Sequence, residues 1–407
     1  MKLARLLPAL AAVGVLITAC GGNPTSTASP ATVPSDLSIS SFTADFSYMA
    51  KLKDLTAAGK GKVGVILPDT TSSVRYVQFD QPYLQKAFEQ AGYKSTDFTI
   101  GNAQGQEAQE LALAQADITN GATVLIMDPL NSTVGSQIQS LAQSKGVKVI
   151  SYDRATFTGT STYYVSFDNV QVGELIGKGF VQCVSDWGVK NAQVFELDGG
   201  QNSDPNAVSF AQGYNDAIWG KKVAKVDAGT TNTQGMKLVN EQVATDWKND
   251  VGQTIFQQAY TANKAINATV EANDGLGNAV VTVLKSQGVK AKSVPTTGQD
   301  ATPDGMANVL TDYQCGSVYK AVYLEAQAAV ALATVLRANQ TPPSGLVNGT
   351  TAPPSGQSGS QQPAILLVPI WVNKANIAST VIKDNFVDKA ALCAKVTAAV
   401  CTAAGIS

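Results

Sequence analysis

Six short apolar runs recur along the chain, and each of them ends at a polar cluster. The runs occupy residues 63–67, 124–127, 147–150, 194–197, 268–270 and 294–297. The segments between them place apolar residues at intervals of three and four, which is the spacing of an amphipathic helix. Strands that alternate with helices predict parallel β-sheets, and therefore an α/β fold of the doubly wound kind.

The residues that follow these runs are carboxylates, amides and an arginine. They are, in order, Asp69, Asp128, Asp153 and Arg154, Asp204 and Asn206, Asn273 and Asp274, and Gln299 and Asp300. In open parallel sheets, ligands bind beyond the carboxyl ends of the strands. The pattern therefore predicts a pocket whose walls suit a ligand rich in hydroxyl groups.

Two successive sets of strands and helices predict two lobes with a cleft between them. A length of 407 residues is sufficient for two domains. A long Ala-rich helix is expected at 319–337, followed by a Gly/Pro/Ser-rich loop at 341–363 and a tail of short helices. The strands expected in the second set lie at 192–197, 223–227, 267–272 and 293–297.

The first twenty residues are typical of an export signal. Lys2 and Arg5 precede an apolar stretch at 6–17 that is too short to span a bilayer. Small residues flank Cys20 and resemble the bacterial lipobox, so we expect a signal peptide at 1–19 and lipidation of Cys20. The alternative is an ordinary secretory signal with an incidental cysteine. Residues 20–45 are expected to form a flexible tether that holds an exported lipoprotein at the outer face of the cytoplasmic membrane, at the cell surface or in the periplasm.

Charge and histidine content exclude several classes of function. The formal net charge of −2 becomes −4 once Lys2 and Arg5 leave with the signal, which is unfavourable for nucleic-acid binding. The sequence contains no histidine, which excludes Ser-His-Asp and Cys-His catalysis and every zinc site that needs histidine. No metal site, cofactor or catalytic residue is predicted.

Four cysteines remain after Cys20, and an even number in an exported protein predicts disulfides. None of them forms a Cys-X-X-Cys motif, so metal binding is not expected. Three pairings are possible, and we favour Cys183–Cys315 together with Cys393–Cys401. The second pair could not close if residues 390–402 formed one unbroken helix, because its cysteines would then lie about 12 Å apart.

Each polar cluster, taken singly, also has an ordinary structural interpretation. Asp153 and Arg154 could form an ion pair at a strand end, Asp204 could cap a helix or belong to a turn, and Asn273 could belong to a turn. The glycines at 275–280 follow a strand, but they lack the spacing of a dinucleotide-binding loop. A ligand site is favoured because all of the clusters fall at strand ends.

In their order and spacing, these segments resemble the xylose-type branch of the periplasmic sugar-binding proteins that serve ABC transporters. The resemblance extends over about residues 60–390 and is carried by 73–76, 151–154, 164–173, 198–207, 272–275, 293–300, 317–320 and 367–384. It implies an α/β fold of two doubly wound parallel-sheet lobes, joined by a three-strand hinge, with a ligand cleft between them. The implied N-terminal lobe is 60–165 and 318–345, the C-terminal lobe is 166–317 and 346–372, and 373–407 form a helical tail.

The resemblance also implies nine ligand-binding residues, carried over position by position: Arg75, Tyr76, Asp153, Arg154, Asp204, Asn206, Asn273, Asp300 and Lys320. Members of this family often carry tryptophan where this chain has Tyr76. A second stacking tryptophan is expected within 228–235, where this chain has none. Residues 349–363 form an insertion without a counterpart in the family, and we expect a surface loop there.

The function implied by the resemblance is that of a solute-binding lipoprotein without enzymatic activity. It would capture a monosaccharide, xylose or a related aldose, by lobe closure and deliver it to the permease subunits of an ABC transporter. The protein is expected to be a monomer that does not bind nucleic acid.

Three other functions use the same features. A sugar sensor for a chemoreceptor or a sensor kinase would depend on the same binding event. A glycoside hydrolase would need two carboxylates such as Asp153 and Asp300, but Arg154 and Lys320 favour their ionised forms. A sugar-responsive transcription regulator shares this fold, and the export signal argues against it.

Overall fold

The computed structural model describes residues 31–159 and 162–406, so the predicted signal peptide and Cys20 lie outside the described residues. None of the helices in this part of the chain combines the length and the apolar character that a membrane span requires. Leu37 and Phe42 are buried, and Ile39 N donates to Gly345 O (3.0 Å). The expectation of a tether up to residue 45 is therefore wrong at its end, because these apolar side chains pack on the fold.

The N-terminal lobe consists of strands that alternate with helices. 3₁₀ helices at Ile39–Ser41 and Ser47–Leu52 precede α1, and a π-helical turn at Tyr76–Asp80 precedes α2. The elements are α1 (Lys53–Ala58), β1 (Lys62–Leu67), α2 (Gln81–Gln90), β2 (Phe98–Asn102), α3 (Glu107–Thr119), β3 (Ala122–Met127), α4 (Ser132–Ser144), β4 (Lys148–Tyr152) and β5 (Tyr163–Phe167). All pairs among these strands are parallel. β1 and β3 are almost wholly apolar and buried, which is typical of strands covered by helices on both faces.

The C-terminal lobe is built around a three-stranded parallel sheet in which β6 lies between β7 and β8. Its elements are α5 (Asn169–Asp186), β6 (Gln193–Gly199), α6 (Pro205–Trp219), β7 (Lys237–Ala244), a 3₁₀ turn at Thr245–Trp247, α7 (Asn249–Ala262), β8 (Ala268–Glu271), α8 (Asp274–Ser286), α9 (Pro303–Leu310) and β9 (Ser317–Tyr319). α5 and α6 approach closely at Gly173, where any side chain would clash with the carbonyl oxygen of Phe210.

Two predicted strands of this lobe are wrong. Residues 223–227 do not form a strand. The backbone N–H of Val226 donates to the side-chain carboxylate of Glu241 (2.8 Å) instead of to a backbone carbonyl oxygen of a neighbouring strand. Residues 293–297 run beside β8 without forming a strand, because Pro295 has no N–H and Thr297 N donates to Glu271 Oε2 (2.7 Å). In both segments a buried carboxylate of a neighbouring strand takes the backbone hydrogen bond, which an apolar pattern does not indicate.

Three crossings join the two lobes. The chain passes from β5 to α5 at 167–169, from β9 to α10 (Val322–Arg337) at 319–322, and from β11 (Gln362–Leu367) to β12 (Ile370–Val372) at 367–370. β9 and β12 pair antiparallel, so the second and third crossings lie side by side. α10 then packs on β3, β4 and β5. The predicted α/β fold of two lobes with a three-strand hinge is thereby confirmed.

The N-terminal sheet is larger than the sequence predicts. β10 (Gly349–Thr351) pairs antiparallel with β11, and β11 pairs parallel with β5, which gives seven strands in the order β10-β11-β5-β4-β3-β1-β2. The assignment of 346–372 to the C-terminal lobe is therefore wrong for both strands, because apolar residues of β11 complete the edge of the N-terminal sheet. The expected surface loop is reduced to the largely exposed residues 352–361.

The tail after β12 consists of a π-helical turn at Ala378–Ile382, α11 (Lys389–Lys395), which packs on α9, and α12 (Ala398–Ala403). Disulfides join Cys183 to Cys315 and Cys393 to Cys401, which are the two pairs favoured from the sequence. The second pair closes because the helix is interrupted between α11 and α12, which leaves the two Cα atoms 5.8 Å apart.

Candidate ligand-binding site

A cavity lies between the lobes and is lined by side chains from both of them and from the hinge. All nine residues predicted from the sequence line it: Arg75, Tyr76, Asp153, Arg154, Asp204, Asn206, Asn273, Asp300 and Lys320. Ser72, Ser73, Phe210, Trp247 and Gln299 complete the wall.

The ends of the strands bring these side chains together. Parallel strands end at one edge of their sheet, and the two sheet edges face each other across the cleft. Arg75 and Tyr76 lie between β1 and α2, where the π-helical turn begins. The remaining strand ends carry Asp153 (β4), Asp204 and Asn206 (β6), Asn273 (β8) and Lys320 (β9).

The backbone adopts an unusual conformation at two of these positions. Asp153 has a φ of 54° and Asp300 a φ of 91°, in the left-handed region that residues other than glycine rarely adopt. Backbone hydrogen bonds hold both residues, since Asp153 N donates to Val165 O (3.0 Å) and Asp300 N donates to Val318 O (2.9 Å). Such strain is typical of binding sites, where the surrounding structure maintains it.

Lys320 joins carboxylates from the two lobes. Its Nζ lies 3.5 Å from Asp153 Oδ1 and 3.3 Å from Asp300 Oδ1. Burial disfavours the charged form of Asp153, but Arg75, Lys320 and Arg154 outweigh burial and hold the pKa of this carboxyl below its usual range. Burial likewise opposes the charge on Lys320, and Asp153 and Asp300 raise its pKa. The cavity wall therefore contains an ionised acceptor beside an ionised donor.

Arg154 makes only loose ion pairs in the cavity wall. Its Nη2 donates to Ser72 Oγ (3.1 Å), and its Nη1 donates to the two backbone carbonyl oxygens at 129–130 (3.4 Å each). Its Nε lies 3.9 Å from the carboxylates of both Asp128 and Asp204. The two oxygens of Asp128 are buried and have no hydrogen-bond partner among the described residues. Burial, and then the charge of Asp153, raise the pKa of Asp128. Arg154 thus retains N–H donors for a ligand while it lies between two buried acids.

Asp204, Asn206 and Asn273 combine a structural role with a place in the cavity wall. Asp204 Oδ1 accepts from Asn206 N (2.8 Å) at the start of α6, and Asn273 Oδ1 accepts from Leu276 N (2.9 Å) at the start of α8. Asn206 Nδ2 donates to Asp153 O (2.6 Å) across the cleft. The helix-cap interpretation is therefore correct for Asp204, whereas Asn273 caps α8 instead of forming a turn. Both caps leave another polar atom of the side chain for a ligand.

Three aromatic side chains border the cavity, and the sequence predicted only Tyr76. The Tyr76 hydroxyl donates to Asp153 Oδ2 (3.2 Å). Phe210 lies on α6, four residues after Asn206 and so on the same face of the helix. The four-residue spacing from Asn206 is the sequence signal from which Phe210 could have been predicted.

Trp247 corrects the expectation of a stacking tryptophan within 228–235. It lies in the 3₁₀ turn that follows β7, and its Nε1 donates to Asp204 Oδ2 (3.2 Å). The indole ring lies against Gly199 and Gly200, where side chains would occupy its place. The rule that strand ends carry ligand contacts identifies Trp247 once β7 is placed at its true position.

Contacts across the cleft show that the lobes are closed. Ser73 Oγ donates to Asp300 Oδ2 (3.1 Å), and Ser132 N donates to Ser203 O (3.2 Å). These bonds join the N-terminal lobe to the C-terminal lobe around the cavity. Two hinged α/β lobes closed over a small polar cavity define the class of binding proteins that enclose a small ligand between domains.

Comparisons with known proteins agree with this class. The profile of the family described as Periplasmic binding protein domain matches residues 63–341. The D-xylose-binding periplasmic protein of Escherichia coli is 33% identical over 330 residues, which cover 80% of this chain and 90% of that protein. The D-xylose-binding periplasmic protein of Haemophilus influenzae is 31% identical over 344 residues, which cover 84% of this chain and 93% of that protein.

The fold is also that of a solved sugar complex. The crystal structure of a carbohydrate transporter solute-binding protein from Chloroflexus aurantiacus with D-glucose has a TM-score of 0.68 at 24% identity, and the match covers 81% of this chain and 97% of that one. The chain therefore belongs to the periplasmic binding protein family, as a type I sugar-binding protein of the xylose type.

Proposed function

We propose that the protein captures a monosaccharide, D-xylose or a related aldose, and delivers it to the permease of an ABC transporter. The observation that supports this best is the convergence of nine predicted side chains from both lobes and the hinge on one cavity. The names of the two relatives, both D-xylose-binding periplasmic proteins, support the choice of sugar.

The cavity wall provides both kinds of contact that a neutral sugar needs. Asp153 and Asp300 accept hydrogen bonds from sugar hydroxyls, and Arg154 and Lys320 donate to hydroxyl and ring oxygens. Each hydrogen bond to a charged group contributes about 1.5–3 kcal/mol. The indole of Trp247 provides an apolar surface for the C–H face of the ring.

Binding without catalysis is part of the proposal. A glycoside hydrolase needs one carboxyl group that remains protonated and a second that is ionised. In the candidate pair, three neighbouring cations lower the pKa of Asp153, and Lys320 Nζ lies 3.3 Å from Asp300 Oδ1. The environment of Asp153 disfavours a protonated acid, and Asp300 lies against a cation, so the arrangement favours reversible capture.

We also propose that lipid on Cys20 holds the exported protein at the outer face of the cytoplasmic membrane. Incorporation of labelled palmitate by cells that produce the wild-type protein, and its loss in Cys20→Ser, tests this part. Label retained in the variant would contradict lipidation at this residue.

A thermal-shift screen over pentoses, hexoses, polyols and inositols, followed by calorimetry, tests the sugar. A ligand that binds only the folded protein stabilises it by about 4 kcal/mol at 1,000 times its Kd. We expect D-xylose to give the largest increase in melting temperature. A different aldose at the top of the ranking would change the sugar, whereas a screen in which no carbohydrate shifts the transition would refute the proposed function.

A further inference from the structure

The guanidinium of Arg75 is almost completely committed to protein partners. An arginine has five N–H donors, one on Nε and two on each Nη. Asp80 accepts from Nε (2.8 Å) and from Nη2 (2.7 Å), and Glu325 accepts from Nη2 (2.7 Å). Nη1 donates to Asp153 Oδ1 (2.7 Å). One N–H, on Nη1, is left for a ligand.

Asp80 and Glu325 are fully buried and lie behind the cavity wall, which neither of them lines. Asp80 ends the π-helical turn that begins at Tyr76. Its Oδ1 also accepts from the hydroxyl of Tyr152 (2.6 Å), the residue immediately before Asp153. The network therefore links the segments that carry Arg75, Tyr76 and Asp153.

Glu325 brings a further element into this network. It lies in the first turn of α10, five residues after Lys320. Its Oε2 contacts Arg75, and its buried Oε1 has no hydrogen-bond partner among the described residues. The helix that follows the second hinge crossing is thereby joined to the same guanidinium as the π-helical turn.

Stability alone does not explain this arrangement. Asp80, Asp153 and Glu325 place three carboxylates around one guanidinium. Burial raises the pKa of Glu325 against the opposing effect of Arg75, and Asp153 and Asp80 raise it further. Buried ion pairs are often no more stabilising than apolar residues of the same volume. What the network does provide is a fixed orientation, with only the Nη1 edge of Arg75 facing the cavity.

We propose that Asp80 and Glu325 are positioning residues that hold Arg75 so that its Nη1 edge meets both Asp153 and the bound sugar. This inference rests on the proposed function, since it assigns their role in sugar binding. It also implies that Arg75 acts on the ligand mainly by fixing Asp153, whose backbone lies in the left-handed region.

Calorimetry with D-xylose, together with thermal unfolding without sugar, tests the proposal on four variants. Asp80→Asn places an amide N–H against the Arg75 donors, and Glu325→Leu removes an acceptor. We expect each to raise Kd about tenfold or more. Glu325→Gln keeps an acceptor oxygen and should bind nearly as the wild type does. Glu89→Gln, an exposed acid of α2 that is bonded to Gln85, is the matched control.

The pattern separates positioning from a merely structural role. The proposal is overturned if Asp80→Asn and Glu325→Leu lower the melting temperature but leave Kd unchanged. It is also overturned if Glu325→Gln binds D-xylose as weakly as Glu325→Leu does. If Asp80→Asn does not fold, the two Glu325 variants decide. A wild type that binds no sugar would refute the proposed function instead. Sugar-free crystal structures of the wild type and of Glu325→Leu test the positioning itself. The proposal requires the Arg75 guanidinium to turn away from Asp153 in the variant. A guanidinium that has not moved would contradict it.

Discussion

The hydroxyl of Ser73 donates a hydrogen bond of 3.1 Å to Asp300 Oδ2, across the cleft between the two lobes. Both side chains are buried. Ser73 precedes Arg75 by two residues, and Asp300 lies against Lys320. The bond therefore joins the two halves of the candidate site, and it contributes to the closed state rather than to the stability of either lobe.

Ser73→Ala should weaken sugar binding by about tenfold or more, as expected for the loss of one hydrogen bond to a charged acceptor. The loss should appear in the dissociation rate, because the bond exists only when the lobes are closed. Stopped-flow fluorescence with the bound sugar measures that rate. Ser140→Ala, whose exposed hydroxyl bonds only within α4, is the control. Equal dissociation rates in the two variants would show that the Ser73 bond does not hold the lobes together.

Asp300→Asn should raise the Kd of the sugar more than tenfold while the fold is kept. Asparagine tolerates the left-handed backbone at this position, but it lacks the charge that faces Lys320 and one of the two acceptor oxygens. Calorimetry measures the Kd, and thermal unfolding without sugar checks the fold. Asp304→Asn, an exposed neighbour on α9 outside the cavity, should bind like the wild type. Normal binding by Asp300→Asn would remove this residue from the site.

Trp247→Phe should abolish most of the change in tryptophan fluorescence on sugar binding and raise Kd about tenfold. The phenyl ring is smaller and cannot donate the bond from Nε1 to Asp204. Trp187→Phe, at the end of α5 and away from the cavity, should retain the fluorescence response. A response lost in Trp187→Phe and kept in Trp247→Phe would place the sugar elsewhere.

Most of the candidate site could be predicted from sequence because strand ends converge even where strand bounds are inexact. Asp300 lines the cavity although residues 293–297 do not form the predicted strand. Trp247 was missed because β7 was expected at 223–227 and lies at Lys237–Ala244. Glu325 lies inside a buried helix, where its distance from Arg75 depends on tertiary packing that local sequence does not report.

The lobes and the hinge could also be predicted, whereas the edge of the N-terminal sheet could not. β11 is apolar enough to belong to either lobe, and its pairing with β5 is set by tertiary contact. β10 is short, and its polar sequence, Gly-Thr-Thr, carries little strand signal. β10 lies within the insertion that has no counterpart in the family, and the resemblance implied the C-terminal lobe for β11.

The sugar-free protein should lose stability as the pH rises. Burial raises the pKa of Glu110, Glu196 and Glu271 from 4.5 to about 8. A folded-state pKa above the unfolded value contributes stability that is complete below the unfolded pKa and is lost as the pH rises through the folded pKa. The free energy of unfolding should therefore fall between about pH 5 and pH 8, by at most about 1.4 kcal/mol per pH unit for each group.

Urea unfolding across this range measures the slope, and Glu271→Gln should make it shallower. Glutamine keeps an acceptor for Thr297 N but does not titrate. Glu174→Gln, on the partly exposed face of α5 and paired with Lys178, should leave the slope unchanged. If the free energy of unfolding of the wild type does not change between pH 5 and pH 8, these three carboxyl groups do not take up protons on folding.

The two disulfides should differ in what they contribute to stability, because they close loops of very different length. Cys183–Cys315 spans 132 residues and Cys393–Cys401 spans 8. The chain-entropy relation gives about 5 kcal/mol for the first and about 2.5 kcal/mol for the second. Denaturant unfolding of the two double serine variants, each compared with the wild type, measures both. The longer link also joins α5 to the segment before β9, so its removal should loosen the C-terminal lobe as a whole. Equal losses in the two variants, or a larger loss for the tail pair, would contradict this order and show that strain or residual structure outweighs loop entropy.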